Sequence, residues 1–163
     1  MHQTRAAKVS IGLENKSCDS TSAILNGLLA DLHVLYVRTR NYHWNVTGDR
    51  FHSLHVFFEG LYTAQAEEID EVAERIRSLG GRPFGTMAEF IKAATLKENP
   101  AEEIGATGML QQLLADHESI IRSVRASIPK VNDQNSDLGT ADFLTGLMEA
   151  HEKAAWMIRS HLQ

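Results

Sequence analysis

The chain has 163 residues with a formal net charge of −5; hydrophobic residues make up 43% and charged residues 23%. That length suits a single domain able to bury its own core, and the acidic balance argues against a uniformly basic nucleic-acid binder. Cys18 is the only cysteine, which excludes an internal disulfide and points to a reducing compartment.

Residues 1–17 read as a flexible polar tail, with Arg5, Lys8 and Lys16 set against Glu14; residues 18–163 read as the folded domain. The tail lacks the apolar segment of a signal peptide, and no stretch of the chain is apolar enough to span a bilayer, so a soluble cytoplasmic protein is expected. Ser20 and Thr21 suit a helix N-cap. From there Ile24, Leu25, Leu28, Leu29, Leu32, Leu35, Tyr36 and Thr39 recur at helical spacing, to about residue 46. Thr47-Gly48-Asp49 breaks the helix. A second helix is expected over 50–79, about 45 Å long at 1.5 Å per residue, with Leu54, Phe58, Leu61, Ile69, Val72, Ile76 and Leu79 as its apolar stripe. Gly80-Gly81-Arg82-Pro83 stops it. Thr86 and Glu89 form a capping box for a short helix to about residue 95. A third long helix is predicted over 108–129, then a polar loop over 132–139, then a fourth long helix capped by Thr140 and reaching about residue 161. Scarce proline and no strand-like alternation complete an all-α reading: a four-helix bundle with a short extra helix in the crossover between the second and third long helices. If those two helices run parallel, that crossover must travel the length of the bundle.

The chemistry concentrates on the first two long helices. His43 sits in Tyr42-His43-Trp44-Asn45-Val46, His55 twelve residues later, and Asp70 and Glu74 four apart on the second helix. Imidazole plus carboxylate with no nearby thiolate suits iron(II), manganese or zinc. With His55 at zero and about 100° per residue, the apolar stripe lies near −40° to −120°, while Glu59, Asp70 and Glu74 fall near +40°, +60° and +100°. The acids therefore face away from the subunit's own core. Two readings fit that sector: a solvated face, or ligands held out for a neighbouring chain. Crowding of Glu67, Asp70, Glu71 and Glu74, with only Glu71 to Arg75 and Glu74 to Arg77 or Ser78 offering relief, favours the second, because like charges at this spacing oppose each other. His43 is open to two readings as well, a packed aromatic or a ligand. His33, His52, His117 and His151 show no carboxylate partner at metal-like spacing. A di-iron site inside one bundle uses Glu-x-x-His pairs; this chain has none, so any iron site must be built differently.

Several blocks in order, Asn41-Tyr42-His43-Trp44-Asn45-Val46-x-Gly48, Phe51-x-x-Leu54-His55-x-x-Phe58-Glu59, Asp70-Glu71-Val72-Ala73-Glu74-Arg75-Ile76, Leu79-Gly80 and Gly85-x-x-x-Glu89-Phe90, carry a resemblance. Over residues 20–162 the chain resembles the Dps family, the DNA-binding proteins from starved cells, or mini-ferritins. The resemblance implies a ferritin-like four-helix bundle assembled as a hollow homododecamer. It implies a ferroxidase site at a twofold interface, with His43 and His55 from one subunit, Asp70 and Glu74 from its partner, Glu59 near a second iron, and Trp44 beside the site. Two iron ions per site, with zinc as an alternative occupant, would pass electrons to hydrogen peroxide or dioxygen, and ferric mineral would be stored inside. Metal binding needs neutral imidazoles and ionised carboxylates, so activity should weaken below about pH 6.5, the ordinary histidine range. Asp137 and Asp142 stand where the family builds a negatively charged iron-admitting pore, or serve as ordinary helix N-terminal charges. DNA contact would fall to Arg5, Lys8 and Lys16 of the tail, whose net +2 leaves −7 for the rest of the chain; avidity among tails would favour it, and salt would weaken it.

The leading expectation is therefore an iron-sequestering ferroxidase that protects the cell and its DNA from oxidative damage. The alternatives are a nucleoid-associated structural protein that compacts DNA, its metal site secondary, and a metal-binding shell without redox turnover.

Overall fold

The computed structural model describes residues 9–98 and 104–163. Among them the chain forms α1 (Asn15–Asn45), α2 (Phe51–Ser78), α3 (Met87–Ala93), α4 (Gly105–Pro129), a π-helical turn (Lys130–Gln134) and α5 (Leu138–His161), with no strand. No helix among them is long and apolar enough to cross a membrane.

α1 packs along α2, and α4 along α5. The two hairpins close on a core of Leu25, Leu29, Leu32 and Leu35 from α1, Leu54, Phe58, Val72 and Ile76 from α2, Leu110, Leu113 and Ile120 from α4, and Leu144 and Ile158 from α5. Each such side chain contributes about 1.5–3 kcal/mol by leaving water. The expected stripes thus form the core, because residues three and four apart share a helix face.

The directions of the helices follow from a few long-range hydrogen bonds. Arg50, just before α2, donates to the His161 carbonyl (3.1 Å) and to Thr107 Oγ1 (3.0 Å). The starts of α2 and α4 and the end of α5 therefore lie at one end of the bundle, and α2 and α4 run parallel. The connection between them climbs α1. Gly80 (φ +79°) turns the chain out of α2, and Gly81 lies so close to α1 that a Cβ there would stand 2.7 Å from Ser22 Oγ. The Asn26 amide donates to the Arg82 carbonyl (3.1 Å) and accepts from Phe84 N (2.8 Å). Buried Asp31 accepts from Thr95 N (2.6 Å), Thr95 Oγ1 (2.8 Å) and Leu96 N (2.9 Å). Arg38 then bonds the Lys97 carbonyl and pairs with Asp116 of α4. α3 carries the expected capping box of Thr86 and Glu89. An ion pair from Arg82, together with the Gly85 and Thr86 amides and the Thr86 hydroxyl, holds the Glu89 carboxyl down at about 2.

Several boundaries differ from the sequence expectation. α1 begins at Asn15, ahead of Ser20 and Thr21, so Lys16 belongs to a helix and not to a tail. Ser20 and Thr21 do not cap, because their hydroxyls accept from the Asn135 amide near the start of α5 (3.1 and 3.0 Å); Cys18, fully buried, extends the core face backwards. α4 begins at Gly105 rather than 108. The polar segment after Pro129 continues as the π-helical turn, anchored by fully buried Val131. Asp137, not Thr140, caps α5: its carboxylate accepts from Thr140 N (3.0 Å) and from Thr140 Oγ1 (2.6 Å).

Candidate metal centre

The last turn of α1 and the second turn of α2 face each other across a short link, reversed at Gly48 (φ +99°) and pinned by buried Val46. This link brings His43 and His55 together. Their rings stack with centroids 3.7 Å apart and planes 24° from parallel. The hydrogen bonds are reciprocal: His43 Nδ1 donates to the His55 carbonyl and His55 Nδ1 to the His43 carbonyl, both at 2.8 Å. A carbonyl only accepts, so each Nδ1 carries a proton, which fixes the neutral tautomer as the one with its lone pair on Nε2. A metal-binding histidine is typically prepared in this way, one nitrogen held by a carbonyl and the other free. His43 is thus a packed aromatic whose Nε2 stays outside the hydrogen bonding of the pair.

An aromatic wall surrounds the pair. Tyr62 meets His43 edge-on (5.2 Å), and Phe51 lies against His55 (5.2 Å). Arg40 spreads over the rings of Tyr62 (4.8 Å), Trp44 (5.2 Å) and Tyr36 (5.7 Å) and donates to the Tyr36 hydroxyl (2.8 Å). Trp44 is 63% exposed beside the pair. Sequence reasoning passed over Arg40, Tyr36 and Tyr62, although Tyr36, Arg40 and Trp44 recur every four residues along α1, a detectable signal.

Glu59, Asp70 and Glu74 are exposed on α2, while Val72 and Ile76 of the same helix are fully buried. Glu59 stands one turn from His55. Asp70 lies fifteen residues beyond His55, about 22 Å along the helix, and Glu74 about 28 Å. One chain therefore brings the two imidazoles together and holds Asp70 and Glu74 well away from them. Among the described residues no three or more His, Cys, Asp or Glu side chains are arranged so that together they could hold a metal ion.

Other expected site residues fare differently. Asp137 is 2% exposed, and beyond capping α5 it pairs with Arg75 (3.1 Å), whose Nε also donates to Thr140 Oγ1 (2.8 Å). Those tasks engage Asp137 within its own chain, in keeping with its reading as a helix N-terminal charge, and they draw Arg75 away from Glu71, the relief expected from the sequence. Asp142 is exposed. Lys16 is exposed in the first turn of α1, and Arg5 and Lys8 lie outside the described residues. His117 and His151 are buried against each other, Nδ1 to Nδ1 at 2.9 Å, and His151 meets Glu68 of α2. Burial and the neighbouring His151 lower the His117 pKa to about 3. This partnership across three helices leaves no mark in local spacing.

A family model for the ferritin-like domain matches residues 22–163. The chain is 46% identical over 156 residues, 96% of its length and 87% of the relative's, to an uncharacterized low temperature-induced protein of Nostoc sp.. It is 37% identical over 139 residues, 85% of its length and 94% of the relative's, to DNA protection during starvation protein 2 of Bacillus anthracis. Among solved structures, the Dps protein of Vibrio cholerae, described as a member of a broad superfamily of ferritin-like diiron-carboxylate proteins, superposes with a TM-score of 0.89 at 33% identity, covering 97% of this chain and 98% of that one. The fold is that of the ferritin-like class, and within it the chain belongs to the Dps family.

Proposed function

We propose that this protein is an iron-sequestering ferroxidase whose catalytic sites form between subunits. Membership of a ferritin-like, diiron-carboxylate family ties it to iron sequestration and to protection of DNA. The observation that carries the finer reading is the division of one ligand set into two halves. His43 and His55 leave their Nε2 atoms out of the hydrogen bonds that hold the rings, at one end of α2, and Asp70 and Glu74 stand exposed about 22–28 Å further along it. A twofold axis across this face sets the imidazoles of one subunit against the acids of its partner twice over, as an isologous interface requires. Glu59 adds an oxygen ligand for a second ion.

Iron(II) is the substrate. Two iron(II) ions supply the two electrons that reduce one hydrogen peroxide and two protons to two waters, so no hydroxyl radical is released; dioxygen serves as the alternative oxidant. Few protein ligands per ion leave positions open for the oxidant. The ferric product is stored as mineral inside a hollow homododecamer, and DNA is protected because free iron(II) and peroxide are consumed together. Zinc, which accepts the same donors, is the alternative occupant. Asp142 is the remaining acid for an iron-admitting pore, and any DNA contact falls to Arg5, Lys8 and Lys16.

The test adds iron(II) and peroxide to the apo-protein and follows ferric absorbance in wild type, His43→Ala and Asp70→Ala. Both substitutions should slow oxidation by at least about tenfold. Equal rates in all three would end the ferroxidase reading.

A further inference from the structure

A second polar centre lies inside the bundle, apart from the interfacial ligands. Gln65 and Glu68 lie one turn apart on α2, and Glu68 meets His151 of α5, which in turn meets His117 of α4. Gln65 and His117 are each 2% exposed and His151 1%, while the Glu68 side chain, 17% exposed, reaches in from the edge. Five of their atoms are buried without any hydrogen-bond partner: Gln65 Oε1 and Nε2, Glu68 Oε2, His117 Nε2 and His151 Nε2. An apolar core does not tolerate such a group without water or an ion to complete it, and a buried carboxylate oxygen is the costliest member. No Lys or Arg reaches Glu68 among the described ion pairs.

The spacing favours an ion. His151 Nε2 and Glu68 Oε2 are 3.3 Å apart, yet they do not form a hydrogen bond. Two ligand atoms bound to one tetrahedral ion at 2.0–2.2 Å stand about 3.3–3.6 Å apart. The His117–His151 contact of 2.9 Å supplies the outer hydrogen bond such a ligand needs. If His151 Nδ1 donates to His117 Nδ1, the His151 lone pair lies on Nε2, toward Glu68. Gln65, three residues before Glu68 on the same helix, carries a further buried oxygen with no partner, and the exposed edge of Glu68 gives a way in from solvent. We propose that this core pocket binds one divalent transition-metal ion of the zinc or iron(II) type through His151 Nε2 and Glu68, with the Gln65 amide oxygen and water completing the shell and His117 positioning His151. Nitrogen and oxygen donors without sulfur suit that class of ion.

The test uses the full chain carrying His43→Ala, His55→Ala, Asp70→Ala and Glu74→Ala, so that the four principal interfacial ligands are gone. Crystals soaked in cobalt(II) should show an anomalous peak about 2.1 Å from His151 Nε2 and from a Glu68 oxygen, and solution titration should give tetrahedral cobalt absorption saturating at one ion per chain. Glu68→Gln and His151→Gln should abolish both signals, and His117→Gln should weaken binding about 10–100-fold. A bridging water with no anomalous peak, or a peak that survives both substitutions, overturns the proposal. The map of the unsubstituted core decides the matter even if those variants fail to fold. An empty His43–His55 seam in wild-type crystals would count against the interfacial site alone, so the two ideas fail separately.

Discussion

Protomers lacking the imidazoles and protomers lacking the acids should restore each other's iron oxidation when they assemble together. His43→Ala/His55→Ala removes one half of the proposed site, and Asp70→Ala/Glu74→Ala the other. About 22 Å of helix separates the halves, so neither variant can rebuild a site within its own chain, and each alone should oxidise iron at background rate. Mixed in equal amounts by co-refolding, half of all twofold pairs combine one protomer of each kind. Each such pair holds one site with every ligand and one with none, so about one quarter of the wild-type sites should return. The assay is the initial rate of ferric absorbance per protomer after iron(II) and peroxide are added, with native mass spectrometry to establish that mixed particles formed. Background rates in verified mixed particles would refute the shared site, as would wild-type rates in either variant alone.

The crossover and its short helix give two further tests. Asp31→Ala strands the Thr95 and Leu96 amides that Asp31 now satisfies; at about 1–3 kcal/mol for each orphaned donor, it should lower stability by about 2–6 kcal/mol, read from urea midpoints, and an unchanged midpoint would show that the crossover is held by other means. The Glu89 carboxyl, held at about 2 by Arg82, Gly85 and Thr86, stays ionised in the folded chain over a range where it takes a proton in the unfolded one. Its contribution is therefore complete above about pH 4.5, the ordinary glutamate range, and is lost as pH falls from there toward 2. Melting temperatures should fall less steeply over that range in Glu89→Gln than in wild type, and parallel slopes would contradict the assignment.

What the sequence shows and what it hides divide along the range of the interaction. The apolar stripes of α1 and α2, the outward direction of Asp70 and Glu74 and the capping box at Thr86 are all carried by residues within a few turns of one another, and they were legible. Thr21 reads as a cap because nothing nearby reveals that Asn135, 114 residues away, occupies its hydroxyl. Asp137 reads equally as a pore acid or a helix N-terminal charge, because its partner Arg75 lies 62 residues earlier. His43 and His55 are conspicuous as residue types, but the reciprocal carbonyl bonds that free each Nε2 arise only when the link at Gly48 closes. The buried quartet of Gln65, Glu68, His117 and His151 is built from three helices, and no periodicity within one helix reports it.

The fate of Arg75 has an energetic consequence for assembly. Glu67, Asp70, Glu71 and Glu74 make four like-charged pairs at three- and four-residue spacing, together opposing helix formation by roughly 1–2 kcal/mol. The nearest cation that could relieve them is engaged by Asp137 and Thr140. Two such faces brought together at a twofold axis repel further, unless divalent ions enter with them. Metal should therefore strengthen the interface as well as react there. Recovering about 1.4 kcal/mol corresponds to tenfold tighter association, so removal of metal by chelator should raise the subunit dissociation constant by about that factor, measured by sedimentation in low salt. Asp70→Asn/Glu74→Gln should associate as tightly without metal as wild type does with it, and should lose the response to chelator. An interface indifferent to chelator in the wild type would mean that other contacts neutralise this face and that the metal is merely a guest there.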